Sequence, residues 1–244
     1  MSTDTTGRVA VITGASSGIG EATAQALVAD GHRVALLARR AERIRSLAGD
    51  LGEGALAIEA DVTDRDSLVR AAERVQSELG GADILVNNAG VMLLAPFSSA
   101  QRSEHRQMVE VNLLGAIAAT EVFLDQLRCG EGGDLINISS VAGRTARPGN
   151  AVYAATKWGL GGFSEGLRQE LSPDIRVTVI EPGAVATELT EHITDAQTKQ
   201  ATQAFVRDLA ITAQDIAEVI AFAVSRPRRM TLNEILVRPT AQTG

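Results

Sequence analysis

The sequence predicts a single doubly wound α/β domain with about seven parallel strands flanked by helices on both faces. Three observations lead there. Short apolar runs of strand length alternate with longer segments of helical period. The short runs are apolar on both faces, as strands buried in a parallel sheet must be. No composition shift or Gly/Ser/Pro-rich linker divides residues 1–244, so one domain suffices. The first apolar run, Val9–Thr13, leads into a glycine turn, and a helix over Ile19–Asp30 follows at once. A second strand at Arg33–Ala38 carries the apolar core Val34–Leu37 and feeds a charged helix at Ala41–Leu51. Next come a strand at Ala55–Ala60, a helix at Arg65–Leu79, and the strand Ile84–Asn87. A long helix over Gln101–Leu127 precedes the strand Asp134–Ser139, and another over Ala151–Leu171 precedes the strand Arg176–Glu181. The last helix, Ala213–Ser225, and the last strand, Glu234–Val237, complete the alternation. Residues 188–211 break it: a polar stretch of weak helical character, whose length and position predict a mobile lid.

Composition bounds the partners. The 244 residues are 45% apolar and 22% charged, enough for a buried core and too apolar for disorder. A net charge of −7 leaves no basic excess to collect phosphates, which argues against nucleic acid or anionic membrane and favours a small-molecule partner. One cysteine, Cys129, makes no internal disulfide and suits a reducing compartment. The three histidines are scattered without ligand spacing, so no metal site is expected. No uninterrupted apolar run approaches the roughly 18 residues of a membrane span, and Met1 to Thr6 is polar, so a cytoplasmic protein is expected.

The glycine turn is the first chemical signal. Thr13-Gly14-Ala15-Ser16-Ser17-Gly18-Ile19-Gly20 joins a strand to a helix. Glycines there let backbone N–H groups approach a pyrophosphate, whose charge sits at the helix N-terminus. The spacing is Gly-x-x-x-Gly-x-Gly, distinct from the commoner Gly-x-Gly-x-x-Gly, and an ordinary strand-to-helix turn is the alternative. The second strand ends in Ala38-Arg39-Arg40 with no carboxylate from Val34 to Ala41. An acid at that place binds ribose hydroxyls and repels a 2′-phosphate, whereas an arginine fork pairs with it, so the expected cofactor is NADP(H). The alternative is that both arginines merely open a solvated helix.

The sequence becomes most specific at Asn112, Ser140, Tyr153 and Lys157, although Asn112 alone would pass for a buried polar residue needing a partner. Tyr153 and Lys157 are four residues apart in a helical segment and share one face. A phenol with a pKa near 10 is a poor acid–base catalyst at neutral pH, and an ammonium nearby is expected to lower it. The composition sharpens this: the chain has one tyrosine and two lysines against 21 arginines, and one lysine stands a helical turn after that tyrosine. A half-buried tyrosine beside a surface lysine is the alternative. Ser139-Ser140 close an apolar strand at its carboxyl end, where open α/β sheets bind ligands, and a hydroxyl there is able to polarise a carbonyl oxygen.

Thr13-Gly14-x-x-x-Gly18-x-Gly20, Asp61-Val62, Asn87-Asn88-Ala89-Gly90, Asn112, Ser140, Tyr153-x-x-x-Lys157 and Pro182-Gly183 resemble, in order, the signatures of the short-chain dehydrogenase/reductase family, with a Rossmann-type fold. The resemblance covers about residues 7–238. Within the family, Asn88–Leu94 and Asn233–Thr240 look closest to the clavulanate dehydrogenase-like and NADP-dependent 3-hydroxy acid dehydrogenase branch. The resemblance implies that Tyr153 is the acid in reduction and the base in oxidation. Lys157 would lower its pKa and hold the nicotinamide ribose, Ser140 would bind the substrate oxygen, and Asn112 would help hold a relay water near Lys157. Ser140 is preferred over Ser139 because it stands thirteen residues before Tyr153, as in the family. For the cofactor it implies Gly14, Ser16, Ser17, Gly18, Ile19 and Gly20 in the turn, and Asp61 and Val62 at the adenine. Asn88 would serve the adenosine-side ribose region, with Val185 and Thr187 after Pro182 and Gly183 at the nicotinamide end; without the resemblance Asp61 reads equally well as a helix cap and Asn88 as a turn former. The chain departs from many members at its end, Arg238-Pro239-Thr240-Ala241-Gln242-Thr243-Gly244, which lacks their glycine-rich apolar segment.

For the substrate, Met92, Leu93, Leu94, Phe97, Ile193 and Phe205 are expected to line an apolar pocket, with core packing as the alternative. Arg144 and Arg147 are candidates for meeting a substrate carboxylate, with exposed loop arginines as the commoner alternative, and His192 is equally ambiguous. A stripe of small residues, Ala155, Gly159, Gly162 and Gly166, suggests close approach by another helix or chain, with packing on the protein's own sheet as the alternative. The resemblance implies a homodimer or homotetramer built on the two long helices. The function expected is NADP(H)-dependent interconversion of a carbonyl and an alcohol. The competing readings are an NADP(H)-binding sensor without turnover and an epimerase or dehydratase, for whose larger substrate domain the chain leaves little length.

Overall fold

The computed structural model describes residues 7–243. Seven parallel strands stand in the order β3-β2-β1-β4-β5-β6-β9, with β1 at Val9–Thr13, β2 at Arg33–Ala38, β3 at Ala55–Glu59, β4 at Ile84–Asn87, β5 at Gly133–Ile138, β6 at Ile175–Pro182 and β9 at Glu234–Val237. Chain order runs outward from β1 to β3 and then resumes on the other side at β4, so the strand order reverses between β1 and β4. Such a switch point, where successive connections cover opposite faces of the sheet, is where open α/β sheets bind ligands.

Every residue of β1, β4, β5 and β6 is buried, so their apolar residues serve both faces of the sheet, and the charged Asp134 and Arg176 within them are buried as an ion pair. On one face Val11, Leu37, Leu85, Leu135 and Val177 pack under helices α3 (Arg65–Leu79), α5 (Gly115–Leu127) and α6 (Ala151–Leu171). On the other, Ile12, Leu36 and Ile136 pack under α1 (Gly18–Ala29), α2 (Ala41–Leu51) and α8 (Ala213–Val224). The predicted doubly wound architecture is the one observed.

The long helix expected over Gln101–Leu127 is divided. Helix α4 (Arg102–Val109) runs into a π-helical turn at Glu110–Leu114, where the Gly115 N–H donates to the Glu110 carbonyl five residues back, and α5 continues from there. Gly115 is needed because a Cβ there would stand 2.7 Å from Val62 Cγ2. Residues 102–127 are long and apolar enough, at mean hydropathy 1.3, to pass for a membrane span. Their apolarity is used internally: Met108, Ala119, Phe123 and Leu127 are buried in the protein core.

The stretch after β6 is more ordered than its polarity suggests. A short 3-10 turn, Glu188–His192, leads to α7 (Ala196–Leu209), a helix with no buried residue. A two-strand parallel ribbon closes its base: β7 (Val185–Ala186) pairs Val185 with Ile211 and Ala186 with Thr212 of β8 (Ile211–Thr212). The Thr194 hydroxyl donates to the Glu104 carboxylate at 2.5 Å and ties the segment to α4.

Candidate active site

A cleft of about 620 Å³ opens at the carboxyl ends of the strands. Of the residues expected to hold a dinucleotide, Gly14, Ser16, Ser17, Gly18, Ile19, Arg39, Arg40, Asp61, Val62, Asn88, Pro182, Gly183, Val185 and Thr187 line it. Gly20 does not, because it is buried beneath the turn, where a Cβ would stand 2.5 Å from Asn88 Nδ2. Gly14 adopts φ +66° and runs so close to the next strand's loop that a Cβ would lie 2.8 Å from Ala89 Cα.

The β1 and β4 loops are sewn together by Thr13 and Asn88. Thr13 Oγ1 accepts from the Asn88 and Ala89 N–H groups at 3.0 and 3.1 Å, and Asn88 Nδ2 donates to the carbonyls of Thr13 and Gly14 at 3.0 and 3.2 Å. The Asn88 amide nitrogen is therefore committed to shaping the glycine turn. Ser17, at the N-cap of α1, makes no side-chain cap, so the first-turn N–H groups beside Gly18 and Ile19 have no capping side chain where the helix meets the cleft. A pyrophosphate suits that end: it supplies acceptors and negative charge to an uncapped helix N-terminus.

Asp61 Oδ1 accepts from the Thr63 N–H and hydroxyl at 2.9 and 2.8 Å and so caps its own turn. Its other oxygen lies 3.9 Å from Arg39 Nη1, whose side chain is 65% exposed at the rim. Arg40 is engaged differently, donating to the hydroxyls of Ser16 at 3.0 Å and Ser17 at 2.6 Å. Gly183 is held against the chain's end, where a Cβ would stand 2.3 Å from Gln242 Oε1, and that oxygen accepts from the Ala184 N–H at 2.9 Å. Gln242 and Arg238 thus join the cleft wall, which the sequence did not signal because no local pattern foretells a terminal segment folding back.

Ser140, Tyr153 and Lys157 come together on the cleft wall. Ser140, two residues beyond β5 and in extended conformation, accepts from the Ala142 N–H at 3.1 Å and faces the Tyr153 phenol, whose pKa it lowers. The neighbouring Ser139 turns away: its hydroxyl donates to the Lys157 carbonyl at 3.2 Å. Lys157 Nζ donates to the Ile138 carbonyl at 2.8 Å and lies 5.8 Å from the centre of the Tyr153 ring. Asn112 sits behind them, outside the cleft lining and 1% exposed, on the π turn. Its Oδ1 accepts from the Val91 N–H at 2.7 Å, and its Nδ2 donates to the Val91 carbonyl at 2.9 Å and the Thr156 hydroxyl at 3.3 Å. The side chain thus ties the π turn to the loop after β4. Lys157 Nζ comes 3.9 Å from the position of a Cβ on Gly90, and Asn112 Oδ1 comes 3.4 Å from it, so both flank that glycine.

The electrostatics correct one expectation. Lys157 was expected to lower the phenol pKa, yet burial pushes Tyr153 up to about 12, with the Ser140 hydrogen bond only partly opposing it. Burial also pushes Lys157 down to about 8. Desolvation disfavours both charged forms. At neutral pH Tyr153 is a phenol with its proton in place and Lys157 is still mostly an ammonium.

The substrate end is partly as expected. Met92, Leu94 and Phe205 line the cleft, together with Arg147 and His192. Leu93 instead packs in a small cluster with Val91, Met108 and Tyr153, and Ile193 is buried outside the lining. Phe97, 72% exposed, stacks on His105 and does not reach the main cleft. Arg144 is bound elsewhere: it donates to Glu181 at 2.7 Å and to Glu234, so it joins β6 to β9 away from the cleft. Arg144→Ala should therefore lower stability by about 1–2 kcal/mol, a modest loss because the guanidinium is 41% exposed and screened. KM should stay within about twofold, since no substrate contact is lost. Thermal unfolding and steady-state kinetics on one preparation test both, and a large rise in KM would return Arg144 to the substrate site.

The small-residue stripe divides. Gly159 meets its own chain, where a Cβ would lie 3.0 Å from Leu113 Cδ2, whereas Gly162 and Gly166 have open space.

Comparison with known proteins agrees with this geometry. Residues 8–198 match the family model described as short chain dehydrogenase. An uncharacterized oxidoreductase of Staphylococcus saprophyticus is 38% identical over 240 residues, covering 97% of each chain. A serine dehydrogenase solved in its closed form with NADP+ superposes at TM-score 0.91 with 30% identity, covering 97% of this chain and 96% of that one. A 3-ketoacyl-(acyl-carrier-protein) reductase from Brucella melitensis, solved with NADH, gives TM-score 0.86 at 29% identity over 96% of this chain and 98% of that one. With the parallel sheet, the glycine turn and the Ser140, Tyr153 and Lys157 cluster in place, the chain belongs to the short-chain dehydrogenase family and is an oxidoreductase.

Proposed function

We propose that the protein is an NADP(H)-dependent carbonyl reductase and alcohol dehydrogenase. The observation that carries this reading is the contact of Ser140 with the Tyr153 phenol, beside Lys157, in the wall of the cleft that the glycine turn opens. When bound, the nicotinamide supplies the hydride for the substrate carbon and takes it back in the reverse direction. The chain's own residues manage the oxygen. Ser140 Oγ and the Tyr153 hydroxyl are together able to hold a carbonyl oxygen between two donors, which polarises the bond and orients it. Tyr153, protonated at neutral pH, delivers its proton to that oxygen, and the product is the alcohol. The phenolate left behind is stabilised by the Lys157 ammonium and by the Ser140 hydroxyl. Lys157 is fixed for this by its bond to the Ile138 carbonyl, and Asn112 holds the π turn against the loop that shapes this wall.

Cofactor choice is argued from Arg39 and Arg40 at the end of β2: the strand end itself carries no acid to bind ribose hydroxyls, and the nearby carboxylates of Asp61 and Glu188 are each met by an arginine. Of the solved relatives, the serine dehydrogenase carries NADP+ at the corresponding fold, although the ketoacyl reductase carries NADH. The chain is expected to bind NADPH at least about tenfold more tightly than NADH, and Arg39→Glu to weaken NADPH far more than NADH. Fluorescence titration of each nucleotide measures this; equal affinities would refute the cofactor assignment. Turnover over a panel of ketones, aldehydes and alcohols, read at the nicotinamide absorbance, tests the reaction itself, and tight binding without turnover would favour a sensor. Exposed Leu114 on the π turn and exposed Trp158 on α6, at 51% and 55%, the latter one helical turn before Gly162, suit a homodimer or homotetramer.

A further inference from the structure

Arg40 and Arg43 stand one helical turn apart where α2 begins, and both engage a single carboxylate from the other side of the cleft mouth. Arg40 Nη1 donates to Glu188 Oε2 at 2.7 Å, and Arg43 Nη1 donates to Glu188 Oε1 at 2.6 Å. The rest of the Arg40 guanidinium is spent on the Ser16 and Ser17 hydroxyls. Three segments distant in sequence thus meet: the glycine turn, the helix start after β2 and the first residue of the 3-10 turn that opens the lid. The neighbouring Thr187 is drawn in as well, since its Cγ2 lies 3.0 Å from where a Cβ on Gly18 would be.

The chemistry of this contact is that of phosphate recognition. Each carboxylate oxygen sits on its own guanidinium, the arrangement by which an arginine pair grips two oxygens of a phosphate monoester. The two arginines hold the Glu188 carboxyl down to about 2, so the competing charge is present at every working pH. The ion pairs are also exchangeable: Glu188 is 41% exposed, Arg40 41% and Arg43 52%, and pairs so wet are individually weak. Arg43 was not among the residues singled out from the sequence.

We propose that Glu188 is a specificity residue acting as an internal competitor, so that the Arg40 and Arg43 pair holds either the Glu188 carboxylate or the 2′-phosphate of NADP(H), and the exchange releases the start of the lid. This rests on the reading of the cleft as an NADP(H) site. A phosphate monoester near charge −2 offers each guanidinium a charge-assisted bond in place of the one it gives up. Two ribose hydroxyls offer no such replacement, so a nucleotide without the 2′-phosphate leaves the carboxylate where it is.

The half-cofactors isolate this step. Binding of adenosine 2′,5′-bisphosphate and of adenosine 5′-monophosphate is measured by calorimetry on the wild-type protein, Glu188→Gln and Arg43→Ala. Glu188→Gln is expected to tighten the bisphosphate about fivefold to tenfold and to change the monophosphate by less than about twofold, while Arg43→Ala weakens the bisphosphate about tenfold. The two lysines supply a second readout. Lys157 is buried, whereas Lys199 lies in α7 and donates to the Glu191 carbonyl at 2.7 Å, so a lysine-specific protease reports the lid by cutting after Lys199. The bisphosphate should speed that cut in the wild type, the monophosphate should not, and Glu188→Gln should be cut quickly without ligand. Equal tightening of both nucleotides, no tightening, or protection of Lys199 by the bisphosphate would each overturn the exchange. A wild-type protein that does not distinguish the two nucleotides refutes the NADP(H) reading itself. One that does distinguish them, with Glu188→Gln unchanged, leaves that reading standing and removes Glu188 from it.

Discussion

Replacing Tyr153 by Phe should lower kcat/KM for carbonyl reduction by about 10³-fold to 10⁴-fold while NADPH binding stays within about threefold. The substitution removes one hydroxyl and keeps the ring, which packs against Val91, Leu93, Met108, Ala142 and Ala154. The fold is therefore retained, and the loss isolates the proton. Ser140 is left without its phenol partner, but it remains anchored by the Ala142 N–H. Near-normal turnover would remove Tyr153 from the reaction. The same residue offers an independent check, because it is the only tyrosine in the chain. The phenolate absorbance of the free protein should titrate well above pH 10, as burial that pushes the phenol up to about 12 requires, and Tyr153→Phe should abolish the signal. A midpoint below 10 would mean that the Lys157 charge outweighs burial.

The tyrosine also shows where sequence reasoning reaches and where it stops. Spacing alone placed Tyr153 and Lys157 on one helix face, and strand-end logic reached the pair Ser139-Ser140, because helical period and the carboxyl ends of parallel strands are local rules; the choice of Ser140 came from the family resemblance. Strand and helix positions were legible for the same reason: β1, β2, β4 and β9 occupy the predicted residues, as do α2, α3 and α6. What was not legible depends on tertiary neighbours. The sign of the Tyr153 shift is decided by burial beneath packed loops, which no spacing reveals. The π turn at Glu110–Leu114 reflects close approach of Gly115 to Val62, over fifty positions earlier in the chain. Phe97, Leu93 and Ile193 carried the right composition for a pocket and lie outside it, since an apolar residue near a strand end serves core and cleft equally well. Arg144 and Arg40 were equally basic to the eye, and only their partners separate a tie between strands from a grip on the glycine turn. Residues 196–209 lacked a convincing apolar face because α7 buries none of its residues, so its helix formed without the signal by which helices are usually read.

Lys157→Met should abolish most turnover, about 10³-fold, and at the same time make the free protein more stable at pH 7. The ammonium is buried, and burial lowers it from its ordinary 10.5 to about 8. Below pH 8 both folded and unfolded chains keep the proton, and the folded state bears the full cost of that shift, about 3 kcal/mol. Methionine of similar length removes the charge but leaves the Ile138 carbonyl without its donor, which costs about 1–2 kcal/mol. The net expectation at pH 7 is a variant more stable by about 1–2 kcal/mol. Between pH 8 and 10.5 the unfolded chain holds a proton that the folded one has shed, so the wild type gains stability relative to the variant as pH rises. The order of the two melting temperatures should therefore reverse before pH 10.5, where the neutral amine still donates to Ile138 and the methionine cannot. Paired thermal melts at pH 7 and pH 10 measure this. A variant less stable than the wild type at pH 7, or a difference that does not change with pH, would show that the lysine charge is not strained in the free protein. Its place beside Tyr153 would then reflect packing rather than a charge held ready for the phenolate. With the reversal observed, the cost of keeping Lys157 charged inside the cleft wall is the stability the fold gives up to have an ammonium in place when Tyr153 loses its proton.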